Sequence, residues 1–106
     1  SKGDGKVMFY NKQKRRGEAK INSLAEAAIT QLNLPKNMAK GGWKDCSTEF
    51  LRKKLIEEFV ELYEAFENVQ TEPTPENRQR VREEAGDVVN IVMMLADNCG
   101  ALEVKK

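Results

Sequence analysis

The stretch LRKKLIEEFVELYEAF, residues 51–66, sets apolar side chains at positions 51, 55, 59, 62 and 66. That three- and four-residue spacing marks one face of an α-helix. With Leu51 at zero and about 100° per residue, Leu62, Leu55, Phe66 and Phe59 fall between about +20° and +80°, which predicts the buried face. Glu58 then lies at about −20°, beside Leu51, and Glu61 at about −80°, on the rim. A helix shaped only for packing would not set an acid there, because burying an unpartnered carboxylate is costly.

Outward from this helix the punctuation is clear. Ser47 is a good N-cap for it, and it is predicted to run to about Asn68, with Glu72-Pro73 in the following turn. Thr74-Pro75-Glu76 starts another helix with a cap hydroxyl, a proline at the first position and an acid in the first turn. It is predicted to reach about Cys99 and stop at Gly100. With Val81 at zero, Ile91, Leu95, Val88, Cys99, Val92, Ala85, Ala96 and Val89 span about −80° to +80°. Glu84 falls inside that arc at about −60°, and Asp87 just outside at about −120°. Upstream, a shorter helix is predicted from about Ser23 to Leu32, with Asn22 or Ser23 as cap and Pro35 ending it. Residues 35–47, with Gly41-Gly42-Trp43, read as a loop. Residues 1–20 read as a basic, solvated terminal arm, with a short strand or packing on the domain as the alternatives for Val7-Met8-Phe9-Tyr10. The expected fold is all-α, an antiparallel helical bundle in a single domain over 1–106. Ile91 to Leu95 surround nearly the whole helix, which predicts completion of the bundle by a homodimer or homotetramer.

Glu58/Glu61 and Glu84/Asp87 are each i, i+3 pairs, so each presents two carboxylates on one side of a helical turn. Two such pairs facing each other across an antiparallel contact need cations. A divalent ion meets that need compactly, and oxygen donors suit Mg²⁺ or Mn²⁺. The competing reading makes them ordinary surface charges paired with Lys53, Lys54, Arg80 and Arg82. That reading has to explain two acids turned into apolar arcs.

Bulk properties narrow the chemistry. The 106 residues suffice for one domain. Lys and Arg number 18 against 17 Asp and Glu, a balance that argues against a general polyanion binder and makes a nucleic-acid partner unexpected. Histidine is absent, which excludes His-based acid–base catalysis and catalytic triads. Cys46 and Cys99 lack metal or redox spacing and read as reduced thiols. No stretch reads as a secretory leader or a membrane span, so a cytoplasmic protein is expected.

Glu57-Glu58-Phe59-Val60-Glu61 fits EExxE, and Glu84-Ala85-Gly86-Asp87 fits ExxD, in that order on consecutive helices. They resemble the all-α nucleotide pyrophosphohydrolase superfamily of MazG proteins and dimeric dUTPases. The closer resemblance is to phage-type relatives described as dATP/dGTP diphosphohydrolases. It rests on the loop Lys40-Gly41-Gly42-Trp43 and on the run from Asp87 to Asn98, and covers about residues 38–100. The first 35 residues match nothing in the pattern. The histidine that relatives often carry near the Gly-Gly-Trp loop has no counterpart here. The resemblance implies that Glu58, Glu61, Glu84 and Asp87 bind Mg²⁺. It also implies that water attacks the α-phosphate of a nucleoside triphosphate, releasing pyrophosphate and a monophosphate.

Within that expectation Glu57 or Glu61 accepts the proton of the attacking water, the other reading of Glu57 being that it simply faces solvent at its outer angle. Lys54 either meets a phosphate or pairs with Glu58 one turn on. Asn90 either contacts the ligand or is an exposed helical Asn. Trp43 either stacks on a base or closes a small core, with Lys40 beside it. Gly86 serves close helix approach at the metal site or tight packing alone. Three alternatives stay open: a non-catalytic helical oligomerisation or regulatory module, a nucleic-acid module led by the basic arm, and a different pyrophosphate-releasing substrate such as phosphoribosyl-ATP.

Overall fold

The computed structural model describes residues 2–38 and 40–103. Among these there are four helices and no strand: α1 (Lys2–Leu32), α2 (Pro35–Met38), α3 (Thr48–Thr71) and α4 (Pro75–Asn98). The all-α architecture is therefore as the sequence predicts. The α4 helix is central, since α1 and α3 both pack on it and not on each other among the described residues, while α2 packs on α1.

The caps set the two long elements. Ser47 Oγ accepts from the Phe50 backbone N–H at 3.1 Å, and Thr74 Oγ1 from that of Asn77 at 3.1 Å, opening α3 and α4. At the far end of α4, Gly100 takes φ +79°. Its N–H donates to the Asp97 carbonyl at 3.0 Å, and that of Ala101 to Ala96 at 2.9 Å, a Schellman closure that only a residue at ease in the left-handed region makes cheaply.

Two predicted boundaries are corrected. The first helix begins at Lys2 rather than near Ser23, and Val7–Tyr10 is helical and exposed, neither a strand nor packed on the domain. No proline interrupts the chain before Pro35. The residue read as a cap is used elsewhere, because Ser23 Oγ accepts from Arg82 Nη1 at 2.8 Å. Pro35, read as a terminator, occupies the first position of α2, where its missing N–H costs nothing.

The helical faces are also rotated from the expected arcs. On α3 the buried residues are Leu51 and Ala65, with Glu58 between them in angle, while Phe59 and Phe66 stay about half exposed at 50% and 48%. The helix thus turns its acidic edge, not the centre of its apolar stripe, towards α4. The α4 helix is buried on two sides. Glu84 and Val88 are buried on the side of the expected arc, whereas Gly86 and Asn90, on the side that reads as polar, are buried where α1 docks. Ala27 and Ala28 of α1 are both buried, and a Cβ added at Gly86 would lie 2.9 Å from the Ala27 carbonyl oxygen. Small residues on both sides let the backbones touch.

Candidate metal centre

Asp87 sits between the two buried sides of α4, where the three long helices come together. The rotation of α3 brings Glu58 to the same place. One carboxylate oxygen each from Glu58, Glu84 and Asp87 lies within 4.8 Å of the others. Glu84 is buried at 5% exposure, with Glu58 and Asp87 half-buried. Arg80 Nε meets Glu84 Oε1 at 2.8 Å, an i, i+4 ion pair, and is itself largely exposed. The ordinary surface-pair reading therefore holds for one oxygen of one acid. Glu84 Oε2 and Glu58 Oε2 are buried with no hydrogen-bond partner.

Such a cluster strains its own charges. Burial foremost, then the carboxylates of Glu61 and Asp87, push Glu58 up to about 7 from an ordinary 4.5. Glu84 is raised as well, by burial first and by Glu61 next, with Arg80 pulling the other way. Three converging acids with two orphaned buried oxygens fit a hard divalent cation, which satisfies oxygen lone pairs and cancels the repulsion at once.

The cluster forms one wall of a cavity of about 830 Å³. Glu61 lines it while remaining exposed, so it joins the site at the rim. Lys54, Lys40, Trp43 and Asn90 line it too. Glu57 does not. It is exposed, and its Oε2 meets Lys54 Nζ at 3.3 Å, so of the two alternatives for Lys54 the pair with Glu58 gives way to one with Glu57. Asn90 is buried, not exposed, and its Nδ2 donates to the Ala28 carbonyl at 2.8 Å. Trp43 Nε1 donates to Asp97 Oδ2 at 2.9 Å, and Lys44 Nζ reaches the same oxygen at 2.9 Å. These contacts hold the Asp97 carboxyl below the usual range. Asn98 Nδ2 donates to the Trp43 carbonyl at 3.0 Å, which completes the attachment of the loop to the end of α4.

Sequence reasoning missed Gln31, Asn33, Lys36 and Asn37, which line the cavity from α1, α2 and the link between them. No short-range pattern marks them, since they come to the cavity only through the docking of α1 on α4.

Paired acids on two adjacent helices, opening on a cavity with lysines around it, define a carboxylate-rich centre able to hold a divalent cation against phosphates. Residues 46–104 match the model of the MazG nucleotide pyrophosphohydrolase domain, and with more than half of its length matched the chain belongs to that family. The match gives the activity at family level, hydrolysis of a nucleotide at a pyrophosphate linkage, and a typical dependence on divalent metal. No curated protein and no solved structure matches the chain.

Proposed function

We propose that this protein hydrolyses nucleoside or deoxynucleoside triphosphates between the α and β phosphates, using Mg²⁺ or Mn²⁺, and releases a monophosphate and pyrophosphate. The observation that carries the reading is the convergence of Glu58, Glu84 and Asp87 with two buried, unpartnered oxygens. These three residues hold the ion, with Glu61 completing the set from the rim. The ion, when bound, lowers the pKa of attacking water and neutralises phosphate oxygens. Glu61, exposed on the cavity, is better placed than Glu57 to take the proton of that water as the bond to the α-phosphorus forms and the bond to the bridging oxygen breaks. Glu57 holds Lys54, a residue of the cavity wall, whose ammonium is the group we assign to the leaving phosphates. Trp43 offers a ring face to the base, with Lys40 and Asn90 also on the cavity wall.

The partners proposed are a nucleotide and a second copy of this chain, in one domain with a basic amino-terminal arm, acting in the cytoplasm. No helix among the described residues is long and apolar enough to cross a membrane. The test is a panel of ribo- and deoxyribonucleoside triphosphates with Mg²⁺, scored separately for pyrophosphate and orthophosphate. Pyrophosphate with a monophosphate is expected, and Glu58→Gln or Asp87→Asn is expected to remove it. Orthophosphate as the sole product refutes α–β cleavage. Failure of Mg²⁺ and Mn²⁺ to bind favours the oligomerisation module.

A further inference from the structure

The acid cluster is not built by the family-matched segment alone. Gln31, in the last turn of α1 and outside residues 46–104, is 7% exposed, and its Nε2 donates to Asp87 Oδ1 at 3.1 Å. Its own backbone carbonyl accepts from Asn37 Nδ2 at 2.6 Å, which ties the end of α1 to α2. The α4 backbone is seated on α1 on either side of Asp87, by Gly86 against Ala27 and by Asn90 Nδ2 donating to the Ala28 carbonyl.

We infer that Gln31 is a positioning residue for the metal centre, reaching in from α1 to orient the Asp87 carboxylate for the cation. The inference rests on the metal reading proposed above. A carboxylate with one oxygen held by an N–H donor loses its rotational freedom and presents a fixed face to an ion. The donor has to be neutral to serve this purpose. A lysine or arginine at position 31 would bring a full positive charge beside the cluster and compete with the ion, whereas an amide restrains Asp87 and leaves the negative charge in place.

The test is Mn²⁺ titration of the metal-free full-length chain without substrate, read by electron paramagnetic resonance, beside metal-free melting curves. Gln31→Met keeps the length and loses the donor. It is expected to weaken Mn²⁺ binding by on the order of tenfold, the scale set by removing a hydrogen-bond partner of a metal ligand. Its metal-free melting temperature is expected to stay close to that of the parent. Gln31→Ala, which adds no bulk, is expected to give the same loss. Ser23→Ala removes the Arg82 hydrogen bond between the same two helices and is expected to leave Mn²⁺ affinity unchanged. Parental affinity in both Gln31 variants overturns the inference, as does an equal loss in Ser23→Ala, which would trace the effect to general helix docking. Loss of the fold in both Gln31 variants, with Ser23→Ala folded, makes the role structural and also overturns it. A parent chain that binds no Mn²⁺ overturns the metal reading itself, so the two failures are distinguishable.

Discussion

Glu58 is held in the metal-free protein where its ionised form is least welcome, and the pH dependence of stability follows from that. Its carboxyl is raised to about 7 against an ordinary 4.5, so between these values the folded chain holds a proton that the unfolded chain has released. The protonated group favours the fold fully below about 4.5, and the contribution is lost as pH rises through about 7. Without metal, the melting temperature should therefore fall between about pH 5 and pH 8, and added Mg²⁺ should restore it at the upper end and do little at the lower. Glu58→Gln should flatten the metal-free profile and abolish the response to Mg²⁺, with turnover down by more than about a hundredfold. Differential scanning fluorimetry across pH, with and without Mg²⁺, checks both; a metal-free profile that rises with pH would contradict the burial of this charge. The anomaly at Glu58 was legible in the sequence because it is a local fact, an acid on an apolar stripe. The roles of Gln31 and Asn90 were not, since each bonds across 56 or 62 positions to a helix whose docking no local spacing encodes. The pairing of Lys54 with Glu57 was not legible for a smaller reason. The i, i+3 and i, i+4 neighbours of a lysine lie equally within reach, and burial of Glu58 leaves the exposed Glu57 as its partner.

At the scale of the elements, the α1–α4 contact is the one to test, because it carries Gln31 to the site. Gly86→Ala gains up to about 1 kcal/mol in helix propensity. It also drives a methyl to 2.9 Å from the Ala27 carbonyl oxygen and 3.1 Å from the Ala28 nitrogen, backbone atoms that cannot swing aside. Overpacking of this kind costs about 1–3 kcal/mol, so a net loss in urea unfolding is expected, together with weaker metal binding as Asp87 moves. Ser47→Ala should cost about 1 kcal/mol through the lost cap alone and leave the metal affinity of the folded chain as it was. The α3 and α4 boundaries could be read in advance because hydroxyl caps, Pro75 and Gly100 act within one turn. The start of α1 could not. Gly3, Gly5 and Gly17 and a run of like charges all weaken the helical signal, and nothing but the absence of a proline argued for continuity.

The whole molecule leaves a large apolar surface without cover. Among the described residues no large side chain is fully buried, and Ile56, Phe59, Val60, Tyr63 and Phe66 of α3 are each about half or more exposed. On the helical wheel these five follow one another from about +60° to +180° from Leu51, away from Glu58 and Glu61. Because α3 presents its acidic edge to α4, its apolar stripe is displaced outward, and one geometric choice yields both the metal cluster and the bare face. A monomer seldom leaves a contiguous apolar patch of that extent in water, and a stable dimer buries about 1,200–2,000 Å² in total, an area that a 24-residue helix and its neighbours can supply. A second copy meeting the first along α3 would cover the stripe and keep both acid clusters facing away from the contact. Sedimentation across a wide concentration series is therefore expected to give a dimer or higher assembly. The pair Ile56→Lys and Tyr63→Lys, on the outer part of the stripe and absent from the cavity wall, is expected to shift it towards monomer and lower the melting temperature, since the folded chain draws stability from association. A parent chain that sediments as a monomer throughout would mean that the stripe is left bare in water, and the link between the turning of α3 and assembly would fail while the acid cluster stood.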